Sequence, residues 1–206
     1  MPDALVLHTR KSFAAALLLL GLAMPGVRAQ DVPDIQVNVE KREGRFIVEA
    51  YGRLPVAVAT AWAVLTDFER MPDIMNNLAE SRILERSGQT LTVFQRGTAH
   101  YGPFSYDFES VREIVLTPQR RIDSRQISGR ALHFSSVARL NPDGDATELR
   151  YRAEIEPDGR LARLVGGPFV RDEIDEQLTL MAREMLRREG KARPADAPTA
   201  RAKAEK

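Results

Sequence analysis

A long stretch of two-residue periodicity, followed by one helical pattern, constrains this 206-residue chain more than any other feature. Apolar and polar residues alternate over residues 78–156, and five short clusters that contain Gly or Pro interrupt them. Such alternation is typical of β-strands with one buried and one solvated face, and short turns join antiparallel neighbours. The stretch therefore predicts an antiparallel sheet with one dry face. The interrupting clusters lie at residues 87–88, 101–103, 117–119, 128–129 and 141–144.

A hairpin and two helical segments are predicted ahead of this sheet. Two alternating stretches within residues 35–50 are separated by a break at residues 43–44, which predicts an opening β-hairpin. Apolar residues at helical spacing follow Pro55, and we expect a helix of about three turns there, because Pro suits the first turn of a helix. A second short helical segment is expected over residues 68–75, bent away at Pro72.

The last predicted element is a long amphipathic helix that begins near Gly166 and runs to Glu189. Its apolar residues recur at spacings of three and four and so form one stripe. This stripe consists of Val170, Ile174, Leu178, Met181 and Met185. Acidic residues crowd its beginning and arginines its end, the order that the helix dipole favours. We interpret the acidic residues Asp172, Glu173, Asp175 and Glu176 as a solvated face. Because the stripe must cover the dry face of the sheet, the predicted fold class is α+β.

The first 29 residues have the pattern of a secretory signal. Basic residues precede an uncharged run over residues 13–23, and the small residues Val27 and Ala29 precede the expected cleavage point. We therefore predict cleavage after Ala29 and export, with the periplasm as the destination. The alternative is an uncleaved anchor, but the run of 11 residues is well short of the roughly 20 that a membrane-spanning helix needs.

The remaining chain is predicted to be one domain over residues 30–189 with a disordered tail over residues 190–206, which contain no large apolar residue. Without the signal, 27 of 30 basic and 28 of 29 acidic residues remain, so the chain lacks the strong positive charge that nucleic acid binding requires. The absence of Cys excludes disulfides, thiolate nucleophiles and cysteine-ligated zinc. No later stretch is long and apolar enough to predict a transmembrane segment.

A search for catalytic chemistry finds little. The alternation of the strands points His100 and His133 outward, and no pair of His residues has the spacing of a metal site. Neither a phosphate-binding glycine loop nor a Gly-x-Ser-x-Gly nucleophile motif is present. No catalytic residue, metal ligand or cofactor is therefore assigned.

One segment resembles a known family. Residues 58–72, VATAWAVLTDFERMP, followed by IMNNL at residues 74–78, are similar to the signature of the START-like SRPBCC superfamily. The branch that they resemble most is the polyketide cyclase/dehydrase and coenzyme-Q-binding group, and the resemblance extends over residues 35–188. It implies a helix-grip fold, in which a curved antiparallel sheet wraps around a long C-terminal helix and leaves a cavity. Families with this fold bind sterols, phospholipids, quinones, polyketides or plant hormones there, and only some are enzymes.

The alternation of the strands predicts which residues face this cavity. Aromatic residues alternate with acidic ones over residues 104–109, so the aromatic ones share the inner face. The same parity places Gln95, Ser124 and Gln126 on this mostly dry surface, where their polar groups need partners. The predicted lining consists of Gln95, Tyr106, Phe108, Ser124, Gln126, Phe134, Ala138, Tyr151, Phe169, Ile174, Leu178 and Met181. The alternatives are a register slipped by one residue, polar residues at a sheet end, and an ordinary packed core. That core would consist of Trp62, Phe169, Ile174, Leu178 and Met181.

Ala138 marks a departure from the family. Where relatives often carry Gly-x-Trp, this chain has Ser136-Val137-Ala138, and the smaller residue would widen the cavity.

Three functions are compatible with these observations. The leading hypothesis is an exported protein without enzymatic activity that binds and carries a hydrophobic small molecule or lipid, such as a quinone-like molecule, with no cofactor. The second is a polyketide cyclase or dehydratase that uses Tyr106 or Arg112 as proton donor or oxyanion partner. The third is an interaction module of the cell envelope whose cavity is filled by core side chains. The sequence identifies no protein partner.

Overall fold

The computed structural model describes residues 33–101 and 104–192. The predicted signal sequence lies outside these residues, as do all but the first three residues of the predicted tail. Residues 102–103, which belong to one of the predicted turns, also lie outside them.

The described residues form eight strands, two α-helices and one 3-10 helix. In chain order, these elements are β1 (Ile35–Arg42), β2 (Arg45–Leu54), α1 (Val58–Leu65), the 3-10 helix (Phe68–Asp73), β3 (Leu78–Ser87), β4 (Thr90–Tyr101), β5 (Phe104–Thr117), β6 (Arg121–Gly129), β7 (His133–Asp143), β8 (Ala146–Glu156) and α2 (Arg160–Ala192).

The strands form one antiparallel sheet in the order β1-β2-β8-β7-β6-β5-β4-β3. Most neighbours in this order follow each other in the chain, and tight turns join them. In the first turn both Glu43 (φ 50°) and Gly44 (φ 85°) have positive φ, which matches the right-handed twist of a two-residue hairpin. Helix α2 packs on β1 and β2 at one side of the sheet and on β4 at the other. The predicted α+β fold, with a curved antiparallel sheet around a long C-terminal helix, is confirmed.

The buried core lies on the concave face of the sheet, under α1 and α2. Alternating residues of the central strands contribute to it, and so do Val64 and Leu65 of α1. On α2 the last two turns of the predicted stripe are the most deeply buried, with Met185 only 1% exposed. Trp62 packs against this core while remaining partly exposed.

The helices differ in length from the sequence prediction. Helix α2 begins at Arg160, six residues before the predicted start at Gly166, and continues through Gly167 and Pro168. The Gly and Pro residues indicated a break, but tertiary packing overrides this local preference. Gly166 lies against the ring of Phe46, so a residue without a side chain is needed there. In contrast, helix α1 is shorter than predicted, because it ends at Leu65 after about two turns.

The adjacent glycines of α2 provide a matched pair of substitutions. Gly166→Ala should lower the free energy of unfolding by about 1–3 kcal/mol, because its Cβ atom would overlap the rigid Phe46 ring. Gly167→Ala should raise it by about 0.5–1 kcal/mol, because Ala favours helix formation. The nearest atom to that Cβ, Phe46 Cε1, is 4.0 Å away. Urea denaturation measures both values, and equal effects would contradict a limiting contact at Phe46.

Candidate ligand cavity

A cavity of about 570 Å³ lies between the concave face of the sheet and α2. Its volume is within the range of pockets that hold small organic ligands, roughly 300–1,000 Å³. The wall is mostly apolar, and β4 to β8 contribute to it together with α2. All of the predicted lining residues are part of this wall: Gln95, Tyr106, Phe108, Ser124, Gln126, Phe134, Ala138, Tyr151, Phe169, Ile174, Leu178 and Met181. That they contact a ligand stays a prediction.

Strand pairing explains why residues far apart in sequence share this wall. Side chains directly opposite each other on neighbouring strands point to the same face of a sheet. Ala138 of β7 lies opposite Tyr151 of β8, and Ser124 of β6 lies opposite Ser136 of β7. A small residue at position 138 therefore leaves space beside the Tyr151 ring.

The apolar stripe of α2 serves two purposes. Its first half, at Val170 and Ile174, forms cavity wall and is only partly buried. Its end, at Met185, belongs to the packed core and not to the wall. The cavity therefore lies toward the beginning of the described part of α2, while the end of the helix packs in the buried core.

Arg112 of β5 lines the cavity, although it was not among the predicted lining residues. The signal was available, because Tyr106, Phe108 and Arg112 have the same parity on one strand. The Arg112 Nη2 atom donates a hydrogen bond to Gln95 Oε1. Gln95 Nε2 in turn donates to Ser81 Oγ at 3.0 Å, so a buried polar chain runs from the cavity toward β3.

The guanidinium of Arg112 has no counter-ion in the described part of the chain. Within residues 33–101 and 104–192, no ion pair of 4 Å or less involves it, and its buried Nε atom has no hydrogen-bond partner. Its carbon Cζ lies 5.3 Å from the centre of the Phe134 ring, a cation–π distance. Burial lowers the pKa of Arg112, but a guanidinium stays charged in proteins. The cavity wall therefore contains a partly desolvated positive charge.

Further polar groups surround Arg112. The Ser124 side chain is buried, and its hydroxyl has no hydrogen-bond partner among the described residues. The Tyr151 hydroxyl is hydrogen-bonded to the Ser136 side chain. Because burial raises the pKa of Tyr151, this hydroxyl stays protonated. We refer to Gln95, Arg112, Ser124, Ser136 and Tyr151 as the arginine cluster.

A second polar group, which we call the amide cluster, consists of Asn77, Glu173 and Gln177 and also lines the cavity. Glu173 Oε1 accepts hydrogen bonds from Asn77 Nδ2 and from Gln177 Nε2, the latter at 3.0 Å. Burial raises the pKa of Glu173, although these two bonds oppose the change. The interpretation of Glu173 as part of a solvated face was therefore wrong. The position of Glu173 on the helix directs its side chain toward the cavity, whereas Asp172 and Asp175 are exposed.

The two histidines of the described strands lie outside the cavity wall. His100 is exposed, His133 is partly exposed, and neither is part of the cavity wall. In the described part of the chain, no three His, Asp or Glu side chains are grouped closely enough to hold a metal ion. None of the described helices combines the length and apolar character needed to cross a bilayer.

Comparison with known families identifies the chain. The sequence profile described as polyketide cyclase / dehydrase and lipid transport matches residues 54–182. The chain belongs to this family. The match includes α1, the 3-10 helix, the strands that line the cavity and most of α2. A search of curated proteins finds no match for this family member.

Solved structures share the fold of this polyketide cyclase family member. A STAR-related lipid transfer protein from Xanthomonas axonopodis is 15% identical, with a TM-score of 0.65 over 76% of this chain and 99% of that protein. The Zhui aromatase/cyclase from Streptomyces sp. R1128 is 17% identical, with a TM-score of 0.59 over 73% and 97%. A START superfamily protein from Mycobacterium smegmatis is 16% identical, with a TM-score of 0.56 over 70% and 97%. At these identities the likeness establishes the helix-grip fold alone.

The raised pKa of Glu173 predicts a dependence of stability on pH. The folded state binds this proton more tightly than the unfolded state, whose pKa is near the ordinary value of 4.5. The contribution of Glu173 to stability therefore falls as pH rises through the raised pKa. Glu173→Gln keeps the accepting oxygen but does not titrate. The melting temperature of the variant, relative to the unmodified protein, should rise between pH 4 and pH 7, a range of about three units.

Asp175→Asn is the control for this prediction, because it removes an exposed carboxyl from the same part of α2. Differential scanning calorimetry at several pH values compares the variants. A difference between Glu173→Gln and the unmodified protein that is constant across this range would contradict the raised pKa.

Proposed function

We propose that this protein binds a hydrophobic small molecule or lipid without covalent chemistry and carries it in the cavity under α2. The observation that carries the proposal is a mostly apolar cavity of about 570 Å³ whose wall contains the Arg112 guanidinium, which has no counter-ion among the described residues. An apolar wall favours the hydrocarbon part of a ligand, and Arg112 favours an anionic or carbonyl oxygen. The ligand class is therefore an amphiphile with one oxygen-rich group.

The energetics of this arrangement favour a bound amphiphile. Burying hydrocarbon gains about 0.8 kcal/mol per CH₂ group, so a medium chain supplies affinity even after the cost of association. Charge-assisted hydrogen bonds from a guanidinium to a carboxylate are stronger than neutral ones and directional. Arg112 is already oriented by Gln95 and Phe134, so little additional ordering is needed when the ligand binds.

The family supports this proposal at a coarser level. Its description includes lipid transport, and the Xanthomonas axonopodis structure with the same fold is named as a lipid transfer protein. We propose a lipid or a quinone-like molecule as the ligand on this basis. Export to the periplasm is the second part of the proposal, and its support is the signal pattern of residues 1–29.

Cyclisation or dehydration of a poly-keto chain is the second candidate function. The observation that favours it is the proximity of Arg112 to the protonated Tyr151, because a cation and a proton donor together suit a developing oxyanion. The aromatase/cyclase with the same fold adds to this support. Tyr151→Phe should abolish turnover of a poly-keto substrate if this candidate is correct, and unchanged turnover in Tyr151→Phe, Tyr106→Phe and Arg112→Met would exclude it.

The third hypothesis, an interaction module, required a filled core. Side chains do not fill the space between the sheet and α2. We therefore do not extend that hypothesis.

Carriage predicts a bound molecule that depends on the volume of the cavity. Native mass spectrometry of protein exported to the periplasm and purified without detergent should show a stoichiometric apolar adduct. Ala138→Trp should abolish the adduct while the protein still folds, because the indole would occupy the space beside Tyr151. Val137→Trp is the matched control, because the neighbouring side chain points to the other face of β7 and is not part of the wall.

Two outcomes would contradict these proposals. A clean mass without adduct, together with no uptake of an apolar fluorescent probe, would exclude carriage. An intact mass that differs from that of a chain beginning at Gln30 would exclude the proposed cleavage after Ala29.

A further inference from the structure

The amide cluster contains two hydrogen-bond acceptors that no described residue satisfies. The Oδ1 atom of Asn77 and the Oε1 atom of Gln177 are buried and have no partner among the described residues. Gln177 is only 5% exposed, and both side chains belong to the cavity wall. A buried acceptor without a donor typically costs about 1–3 kcal/mol. Two such atoms beside one cavity are a specific feature that the carriage of hydrocarbon alone does not require.

The donors of the two amide groups are already engaged. Asn77 Nδ2 bonds to Glu173 Oε1, and Gln177 Nε2 bonds to Glu173 Oε1 and, at 3.0 Å, to Asn76 Oδ1. These bonds assign the orientation of both amides, because the NH₂ groups must face the carboxylate. An ionised Glu173 accepts hydrogen bonds and donates none. At a pH above the raised pKa of Glu173, the two amide oxygens therefore have no donor among the described residues and remain for a donor within the cavity.

The two polar clusters lie close to each other along β4. Thr98 N donates to the backbone oxygen of Asn77 at 2.9 Å, and Asn77 approaches Gly97 so closely that a Cβ atom there would overlap its carbonyl. Gln95, which holds Arg112, is two residues before Gly97 on the same strand. Two residues of a strand span about 7 Å. One bound molecule of moderate length is therefore able to reach both clusters.

We infer that the amide cluster is a second anchoring point of the cavity, which accepts a hydrogen bond from a hydroxyl group of the ligand. This inference rests on the proposed function and narrows its ligand class. The ligand has an anionic or carbonyl group at Arg112 and a hydroxyl group further along its apolar part. A hydroxyl group suits the cluster better than an ammonium group, because Glu173 Oε1 already receives two donors and a neutral group adds no buried charge.

The test compares decanoate with analogues that have one hydroxyl group at different carbons along the chain. Isothermal titration calorimetry of the full chain, purified without detergent, measures the dissociation constants. At least one hydroxylated analogue should bind about threefold to tenfold more tightly than decanoate, the gain expected for one hydrogen bond. Gln177→Met should remove this preference, because Met has a similar shape without the amide.

Glu176→Gln is the matched control on the same helix. Glu176 is exposed and is not part of the cavity wall, so the variant should keep the preference for the hydroxylated analogue. Thermal unfolding checks that Gln177→Met folds. If this variant does not fold, the affinities of the unmodified protein for decanoate and its hydroxylated analogues still test the inference.

The outcomes separate the inference from the proposed function. If decanoate binds and Arg112→Met weakens it, but no hydroxylated analogue binds more tightly, the amide cluster is not a second anchor. A preference that persists in folded Gln177→Met overturns the inference as well. Tighter binding of an aminated analogue than of any hydroxylated one overturns the choice of a hydroxyl group. If no probe binds the unmodified protein, the proposed function fails for carboxylates and the inference fails with it.

Discussion

One α-helix is too narrow to cover the concave face of an eight-stranded sheet, and the rest of this structure depends on that mismatch. A helix with its side chains is about 10–12 Å wide, whereas eight strands at about 4.8 Å spacing extend for roughly 34 Å. The sheet curves, so that α2 meets β1 and β2 at one side and β4 at the other. The central strands β5 to β8 are left facing a cavity. The cavity is thus a consequence of the architecture, and its chemistry depends on which side chains the central strands and α2 direct inward.

The inward-facing polar residues oppose the stability that the apolar wall supplies. Among the described residues, Arg112 has no counter-ion and the Ser124 hydroxyl has no hydrogen-bond partner, and burial raises the pKa of Glu173. Each of these features costs free energy when the chain folds. Costs of this kind are typical of binding sites, because a ligand with complementary groups recovers them. The two clusters therefore favour an amphiphile over a purely apolar ligand.

Sequence periodicity predicted most of the residues that line the cavity, but it did not predict the two charged ones, Arg112 and Glu173. Tyr106 and Phe108 were predicted correctly to face inward because strand parity is a local property. The same parity applies to Arg112, but a charged residue in an alternating strand is ordinarily interpreted as solvent-facing. Glu173 was misinterpreted for the same reason, since an acidic residue near the start of a helix has a common solvated explanation. The hydrogen bonds from Asn77 to Glu173 and from Gln177 to Asn76 join a loop to α2 across about 100 residues, so no local pattern predicts them.

The sequence by itself determined the order of the elements, the antiparallel sheet, the inward face of each strand and the membership of the family, because these follow from local periodicity and a contiguous motif. Tertiary structure alone decided where α2 begins, since the contact of Gly166 with Phe46 overrides the local helix-breaking signals. It also decided that the stripe of α2 lines the cavity at Val170 and belongs to the packed core at Met185. Burial and hydrogen bonding between distant residues are properties of the folded chain, and they convert ordinary charged and amide residues into a candidate binding site.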